Sequence, residues 1–579
     1  MTKNFLISVF FLIFSFSLFA QTYITNVTVA DVAKQKLIPG QTVVINNGLI
    51  SGIQPSGKIT VPANATIVEG KGKYLLPGLT DAHIHFFQNG GLYTRPDAID
   101  LQNIVPYRKE IEYSHENMDE VLRRYLQNGI TSVFDVGATY NFLKQRETFK
   151  NADHAPDIYM SGPLLTTYEP AIYENLKDDE PFTLIKTPEE GRKMVHQQMA
   201  YHTDFIKIWY IVKRDTTSVE AGAMKYLPIV KAIIDEAHKN NLKVAVHATQ
   251  RVTAQLAVEN GCDFLVHCVD DEILSNDFIQ LLKKNKTILC PTLIVHDGYT
   301  NTYGQKIDMT YHELVRADPF QLGSLLDLKH LADTALAGKY KNRSNSKDAV
   351  ERAAKANSIT KQNLKALSDA GVIIASGTDA GNIGTLHASS YLTELIAMKE
   401  CGMSNWQIIQ ASTVNCAKIL DKENEVGTVA VGKKANLILL DADPIENIEN
   451  IARIYRVINK GVVFDPDTLI KDTPAVLAQR QVNAYNFRNI EAFLEPYADD
   501  VEIYDYPDKF VYKGKENMRT GYSEMFEKTP NLHCEIKARI LQGNIVIDKE
   551  RVQFRDKVIE AVAIYHIEKG KIQRVYFIK

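Results

Sequence analysis

Residues 76–85 read LPGLTDAHIH, an apolar run that ends in two histidines separated by one residue. In a β-strand, residues i and i+2 point to the same face. A strand over residues 75–85 would therefore present His83 and His85 to one metal ion, with Asp81 on the same face. Two histidines at a strand end are weak evidence by themselves, because structural histidines occur there too. Evidence from the rest of the chain is needed to distinguish a metal site from structural histidines.

The region 75–420 repeats one pattern, in which short apolar runs alternate with amphipathic stretches. It predicts an α/β fold, because eight parallel strands alternating with helices are typical of a (β/α)8 barrel. A long polar stretch after the seventh run, residues 295–354, predicts a helical lid over the barrel mouth. The eight predicted strands are residues 75–85, 131–137, 158–165, 205–210, 243–248, 264–269, 287–293 and 372–378.

Polar side chains of ligand type lie at or near the ends of these strands. In a barrel of this kind the C-terminal ends of the strands converge on the active site, so such side chains are expected to meet. Imidazole nitrogens and carboxylate oxygens suit zinc and other first-row divalent ions. The predicted metal ligands are His83, His85, Lys207, His247, His267 and Asp379.

Lys207 is the unusual member of this set. A protonated ammonium would repel two cations, whereas reaction of its amine with carbon dioxide would give a bridging carbamate with oxygen ligands. A neutral or ion-paired lysine beside a single metal is the alternative that the residues leave open.

Composition narrows the class of protein. The 579 residues are 45% hydrophobic and 23% charged, which is typical of a globular chain. The formal charge of −4 argues against a nucleic-acid partner, since such proteins usually carry a basic excess. None of the six cysteines has CxxC spacing, and several lie in apolar runs, so buried free thiols are expected. The alternative is a disulfide between two of these cysteines, which an oxidising compartment would allow.

The N-terminus predicts export. Lys3 is followed by an apolar and serine-containing run over residues 5–20. This run is too short for a membrane-spanning helix and is typical of a signal peptide, with cleavage expected after Ala20. The mature protein is then periplasmic or secreted. An uncleaved membrane anchor is the alternative, and no later segment is apolar enough to span a bilayer.

Four units follow from these patterns. Residues 1–20 are the signal peptide, and 75–420 the barrel. The β-rich segments 21–74 and 421–470 are expected to pair into one composite β-sandwich domain. Within the first of them, Asn47-Gly48 between apolar runs predicts a hairpin. Residues 472–579 begin with an amphipathic helical region and continue with β runs, which predicts a separate α+β domain.

Several motifs together resemble one known family. The stretch 76–85, the GTDAG motif at 377–381, GTV at 427–429 and GKKANLILLD at 432–441 resemble the amidohydrolase superfamily, and most closely its imidazolonepropionase-like and prolidase-like branch. The resemblance covers roughly 21–465 and implies a barrel with a binuclear metal centre beside a composite β-sandwich.

The resemblance also implies roles for the ligands. His83, His85 and Asp379 would hold the more buried metal, and His247 and His267 the other. Carbamylated Lys207 would bridge two divalent ions, expected to be zinc. Imidazolonepropionase itself does not use this lysine, so Lys207 favours the dipeptidase-like part of the branch.

The C-terminal residues 475–579 resemble the SnoaL-like, ketosteroid-isomerase-like cone fold. By position, Asp505 falls where the isomerase general base would be, and Gln481 replaces the catalytic tyrosine. A neutral amide is a poorer oxyanion donor than a phenol. A ligand-holding or dimerisation role is therefore expected for this domain, and homo-oligomerisation stays open.

The resulting expectation is a metal-dependent hydrolase for the carbon–nitrogen bonds of small amides, cyclic amides or dipeptides. Asp379 is the predicted proton carrier, with His387 second. His387, Tyr210 and His296 are the predicted substrate-binding residues. Two alternatives stay open: lactone or ester hydrolysis or deamination on the same centre, and a binding protein without catalysis.

Overall fold

The computed structural model describes residues 21–212 and 217–578. The predicted signal peptide, residues 1–20, lies outside the described residues. Among the helices that are described, none combines the length and the apolar composition needed to cross a membrane. All six cysteines are buried and unpaired, which confirms the prediction of free thiols.

The first described segment is rich in β-structure. Its strands β2 and β3 form the predicted hairpin, with Asn46 opposite Leu49. Asn47 and Gly48 in the turn have φ values of 50° and 76°, the left-handed conformation that this type of tight turn requires. The strands are β1 (Thr22–Asp31), β2 (Lys36–Asn46), β3 (Leu49–Pro55), β4 (Thr66–Glu69) and β5 (Tyr74–Pro77).

The middle of the chain alternates strands with helices, which confirms the predicted α/β fold class. In chain order it contains β6 (Leu79–Ile84), α1 (Tyr107–Glu116), α2 (Met118–Gln127), β7 (Ile130–Asp135), α3 (Tyr140–Arg146), β8 (Asp157–Met160), β9 (Leu164–Thr166), β10 (Phe182–Leu184), α4 (Pro188–Ala200), β11 (Ile206–Trp209), α5 (Val219–Lys239), β12 (Val244–His247), α6 (Arg251–Glu259), β13 (Phe264–Val266), α7 (Asn276–Asn285) and β14 (Ile288–Cys290).

A helical excursion follows β14, as predicted for residues 295–354. It comprises α8 (Val295–Tyr303), α9 (Tyr311–Arg316), α10 (Pro319–Ser324), α11 (Thr334–Ser344) and the first part of α12 (Lys347–Asp369). The chain then returns to the barrel and continues through α13 (Tyr391–Glu400), α14 (Asn405–Ala411) and α15 (Val414–Ala417).

Parallel pairing joins the barrel strands into a ring. β6, β7 and β8 form one set, and β10, β9, β11, β12, β13 and β14, in this order, form another. A single bridge between Ser161 and Phe205 joins the end of β8 to the start of β11. The predicted eighth strand, residues 372–378, makes isolated parallel bridges instead of a continuous strand. One bridge joins Leu289 to Ile374 and another joins Ile84 to Ala380, so this segment connects β14 back to β6.

Three later strands complete the N-terminal sheet: β15 (Leu437–Leu440), β16 (Ile454–Asn459) and β17 (Val462–Phe464). The strand order is β17-β16-β15-β5-β1-β2-β3, and β4 pairs with β1. Segments from both sides of the barrel therefore share one sheet.

The predicted first barrel strand, residues 75–85, is in fact two strands. β5 belongs to the sheet with β1 and β15, and only β6 belongs to the barrel. Gly78 separates them at a very close approach, because a Cβ at this position would lie 2.2 Å from Thr131 Oγ1. The apolar run is continuous in sequence, so its pattern could not reveal the change of sheet.

The C-terminal unit is an α+β fold with α16 (Pro474–Asn486), α17 (Ile490–Leu494), β18 (Tyr497–Asp505), β19 (Lys509–Lys513), α18 (Lys515–Lys528), β20 (His533–Gln542), β21 (Ile545–Phe554), β22 (Lys557–Glu568) and β23 (Lys571–Ile578). Its six strands have the order β19-β18-β23-β22-β21-β20. Strand β19 and helix α18 were not among the predicted elements.

This unit packs against the helical excursion. Leu314 and Leu322 of the excursion belong to the same buried apolar cluster as Leu477 of α16. Asn483 Nδ2 also donates a hydrogen bond to the backbone oxygen of Pro319 at 2.7 Å. The excursion is therefore held between the barrel mouth and the C-terminal unit.

Candidate metal centre

Three of the predicted ligands form a compact group at the ends of β6 and the eighth strand. Nε2 of His83 lies 3.3 Å from Nε2 of His85. Each of these nitrogens lies 3.2 Å from Oδ1 of Asp379. Two ligands 2.0–2.2 Å from one tetrahedral ion would be about 3.3 Å apart. The spacing of this buried group therefore fits one small divalent ion.

The other three predicted ligands lie beside this group. The ring centroids of His83 and His267 are 5.0 Å apart, and those of His267 and His247 are 4.3 Å apart. Lys207 on β11 is 1% exposed and lines the same cavity. Barrel geometry thus brings together six side chains from five separate segments of the chain. Within the described residues, only the first three have their ligand atoms all within 4.8 Å of one another.

Burial favours the deprotonated forms that bind metals. It lowers the pKa of His83 to about 3 and the pKa of Lys207 to about 7. Burial alone would raise the pKa of Asp379, but the charges and hydrogen bonds of His83 and His85 hold it well below its usual value. Neutral imidazole and ionised carboxylate are the ligand forms required by divalent metals. The donor chemistry therefore fits the metal as well as the spacing does.

Two of the predicted ligands have an unusual backbone conformation. His267 has φ 74° and Asp379 has φ 59°, a left-handed conformation that is costly for residues other than glycine. The Asp379 N–H donates to the backbone oxygen of His83 at 2.7 Å, and the His267 N–H to that of Cys290 at 2.9 Å. These bonds hold both residues in strained conformations, which are concentrated at functional sites.

Asp81 supports the site without joining the ligand group. Its carboxylate accepts hydrogen bonds from Thr378 N at 3.0 Å and Thr378 Oγ1 at 2.7 Å. It thereby ties β6 to the eighth strand, directly beside His83 and Asp379.

Asn382 and Arg95 also contact the site, and neither was predicted from the sequence. Asn382 Nδ2 donates to Asp379 Oδ1 at 2.8 Å. Arg95 Nη1 donates to Asn382 Oδ1 at 2.6 Å and is itself paired with Asp97. The only available signal for Asn382 was its place three residues after Asp379; Arg95 lies in an irregular loop with no recognisable pattern.

A cavity of about 1070 Å³ opens above the six side chains. Phe182 and Trp209 line it from the barrel. The excursion contributes the remaining wall, including Tyr299, Arg343 and Arg352. The predicted lid therefore covers the mouth of the barrel at the metal-binding end.

Only one of the three predicted substrate-binding residues lines this cavity. His296, in the first turn of α8, does so. Tyr210 instead points into the protein and donates to the backbone oxygen of Ala223 at 2.5 Å. The prediction for Tyr210 is corrected because its side chain faces helix α5, which a position at a strand end does not reveal.

His387 is also turned away from the cavity. Its Nε2 lies 2.9 Å from the backbone oxygen of Gln88, an acceptor, so this nitrogen carries the proton and donates. Its Nδ1 then accepts from the Tyr125 hydroxyl at 2.8 Å. Both nitrogens are occupied by protein groups, and burial lowers the pKa of His387 to about 4. The structure therefore corrects the predicted substrate and proton-transfer role of His387 to a structural one.

Glu394 on α13 is a buried acidic residue that contacts the segment just after β14. The residue is fully buried, and its Oε2 accepts from the backbone N–H groups of Leu293 and Ile294 at 2.8 and 3.2 Å. Burial raises its pKa to about 8. Glu394 thus anchors the start of the excursion, just after β14.

The strand ends of this barrel thus carry a buried group of side chains of metal-ligand type. The chain belongs to the amidohydrolase family, whose family model matches residues 74–464. Residues 478–575 match the model of the SnoaL-like domain. The predicted resemblance to both families is thereby confirmed.

The relatives support the same branch. An imidazolonepropionase from Bdellovibrio bacteriovorus is 41% identical over 80 residues, which is 14% of this chain and 19% of that protein. The aligned part thus spans about a fifth of that curated relative. A Xaa-Pro dipeptidase structure with bound methionine in its active site has a TM-score of 0.58 at 21% identity, covering 77% of this chain and all of that one. A molinate hydrolase structure has a TM-score of 0.58 at 18% identity, and the match covers 77% of this chain and 95% of that one. These two likenesses show the fold.

Proposed function

We propose that the protein is a metal-dependent hydrolase that cleaves carbon–nitrogen bonds in small amides, cyclic amides or dipeptides. The observation that carries this proposal is the convergence of six ligand-type side chains on the floor of one covered cavity. The amidohydrolase family and the named activities of the relatives support the choice of bond.

His83, His85 and Asp379 would hold one ion, and His247 and His267 a second, with zinc as the expected metal. When bound, such ions lower the pKa of water and polarise a carbonyl group. Two divalent ions with one carboxylate and neutral imidazoles would leave a large positive charge. A carbamate on Lys207 would add a negative charge between the two ligand groups, so we propose that Lys207 is carbamylated.

Asp379 is the proposed proton carrier. Its carboxylate accepts a proton from the attacking water and returns it to the leaving nitrogen. The hydrogen bond from Asn382 keeps this carboxylate in one orientation while it does so. His296 and the aromatic wall of the cavity bind and orient the substrate and exclude water.

The decisive test is metal analysis beside turnover. Protein loaded with zinc is expected to hold about two ions per chain and to hydrolyse members of a panel of dipeptides, N-acyl amino acids and cyclic amides. Removal of the metal with a chelator should abolish turnover, and added zinc should restore it. Turnover of lactones or release of ammonia alone would instead assign ester hydrolysis or deamination. Metal-loaded protein without turnover on any of these would favour a binding protein.

We also propose that the protein is exported after cleavage behind Ala20. Cleavage there leaves Gln21 and the whole of β1 in the mature chain. The backbone oxygen of Gln21 accepts a hydrogen bond from Thr66 N at 3.0 Å. Mass spectrometry of the mature protein from its native cells is expected to find Gln21 at the N-terminus. An N-terminus that retains the apolar run would contradict cleavage and favour a membrane anchor.

A further inference from the structure

A second cleft, of about 680 Å³, lies where the helical excursion meets the C-terminal unit. Glu535 of β20 and Arg551 of β21 are paired across the sheet and line this cleft together. Glu550, the neighbour of Arg551, is buried on the opposite face of the sheet. The cleft is therefore on the outer face of the C-terminal sheet and outside the core of that unit. It is also separate from the metal-centre cavity, although Lys306 lines both.

The lining of this cleft carries an excess of positive charge. Its acidic members are Asp308 and Glu535, and Glu535 is already paired with Lys537 at 2.8 Å and Arg551 at 3.6 Å. Five basic side chains thus face two carboxylates in a protein whose net charge is −4. The basic side chains are Lys306, Lys329, Lys341, Arg488 and Arg551.

Most of these cations lack a counter-charge. Across residues 21–212 and 217–578, no carboxylate lies within 4.0 Å of the charged groups of Lys306, Lys329, Lys341 and Arg488. By contrast, Arg480 and Arg539 in the same unit are each paired with a carboxylate at 2.7 Å. Burial, and then the charges of Arg488 and Lys341, lower the pKa of Lys329, and the opposing charge of Asp308 does not outweigh them. The cations are therefore close enough to repel one another.

Arg488 adds an independent observation. It follows the end of α16 with φ 53°, a left-handed position normally taken by glycine or asparagine. Among the described residues, its guanidinium makes one hydrogen bond, a long contact of 3.4 Å with the backbone oxygen of Asn486. An arginine is thus kept at a position that disfavours it, with its charge directed to the cleft.

We propose that this cleft binds a small organic molecule bearing a phosphate group. Lysine and arginine are the side chains that recognise phosphate, and the volume of the cleft is within the range of small-molecule sites. Ile307, Phe487 and Leu532 provide apolar contacts for the organic part. The ligand would connect the excursion to the C-terminal unit. This proposal does not depend on the hydrolase activity.

Inorganic phosphate is the probe for the first test, using the full-length metal-loaded chain and calorimetry at constant ionic strength. Wild-type protein is expected to bind phosphate at one saturable site with a dissociation constant below about 10 mM. Arg488→Asn removes the charge but suits the left-handed backbone, so the fold should be kept or stabilised. It should weaken phosphate binding at least about tenfold, because a charge-assisted contact is lost.

The matched control is Arg555→Asn, because Arg555 also has φ 53° but does not line the cleft. It should bind phosphate like the wild type. Lys341→Gln, on the exposed side of α11, should weaken binding without endangering the fold. No saturable binding, or equal affinity in Arg488→Asn and wild type, would overturn the proposal. Tighter binding of succinate than of phosphate, lost in Arg488→Asn, would overturn the assignment to phosphate. No readout uses turnover, so failure here is distinct from failure of the proposed hydrolase function.

Discussion

Asn382 fixes the orientation of Asp379 through a hydrogen bond of 2.8 Å from its Nδ2 to the Asp379 Oδ1 atom. Arg95 Nη1 and the Tyr299 hydroxyl both donate to Asn382 Oδ1 at 2.6 Å, so the amide can present only its NH2 group to the carboxylate. Tyr299 belongs to α8 of the excursion. The proposed proton carrier is thus held by a contact that includes the lid.

Replacing Asn382 with alanine should disturb this orientation. We expect turnover to fall about 10- to 100-fold, the usual effect of removing a group that orients a ligand. Rate and metal content should be measured together, with Asn301→Ala as the control. Asn301 lines the same cavity, and in the described part of the chain its side chain forms no hydrogen bond with a predicted ligand. Equal turnover in the two variants would show that Asn382 does not position Asp379.

Asp379→Asn separates metal binding from proton transfer. Asparagine keeps the shape and tolerates the left-handed backbone, but it cannot take the proton. Turnover should fall by roughly 10²–10⁴-fold while much of the metal is retained. His83→Ala should instead lower the metal content. An Asp379→Asn variant with full metal and near-normal turnover would require another proton carrier.

Lys207→Ala should remove the proposed bridge. Metal content should fall from about two ions towards one, and turnover should fall at least about 100-fold. Short carboxylates such as acetate are expected to restore part of the activity. Lys243→Ala is the control, since Lys243 pairs with Asp263 at 3.7 Å just before β12. A crystal structure of active, metal-saturated enzyme with a free Lys207 amine would contradict the carbamate.

Tyr125→Phe tests the structural role of His387. Loss of the hydroxyl leaves the buried Nδ1 of His387 without its donor, which should cost about 1–3 kcal/mol of unfolding free energy. Turnover of the metal-loaded enzyme should change little. Denaturant titration gives the free energy, and Tyr303→Phe serves as the control because its buried hydroxyl lacks a hydrogen-bond partner in the described residues. Unchanged stability with lost turnover would return His387 to catalysis.

Glu550 in the C-terminal unit should make stability depend on pH. Burial raises its pKa from 4.5 to about 7, so between these values the folded protein binds more protons than the unfolded chain. Its contribution to stability is therefore lost as the pH rises through this range, by an amount on the order of 3 kcal/mol. Denaturant titrations from pH 5 to 8 should show a flatter dependence for Glu550→Gln. Glu560→Gln, on an exposed part of β22, should keep the wild-type slope, and the same slope in Glu550→Gln would refute this assignment.

Much of the fold could be predicted because the pattern of apolar and polar residues that indicates strands and helices is local in the sequence. Short apolar runs that alternate with amphipathic stretches indicated the α/β class, and polar residues at the ends of those runs indicated the candidate ligands. Barrel geometry makes strand ends converge, so His83, His247, His267 and Asp379 could be grouped without knowledge of their contacts. The same reasoning could not reveal that the apolar run 75–85 changes sheet at Gly78.

What the sequence alone determined was therefore the barrel, the C-terminal unit and the set of ligand candidates. Only the tertiary structure decided which side chains face the cavity. Tyr210 and His387 turn away because groups on other elements, Ala223 of α5 and Tyr125 of α2, satisfy their polar atoms. Arg95 and Asn382 meet across 287 residues for the same reason. Periodicity reports the face on which a residue lies, but the partner of a buried polar group is set by the packing of remote segments.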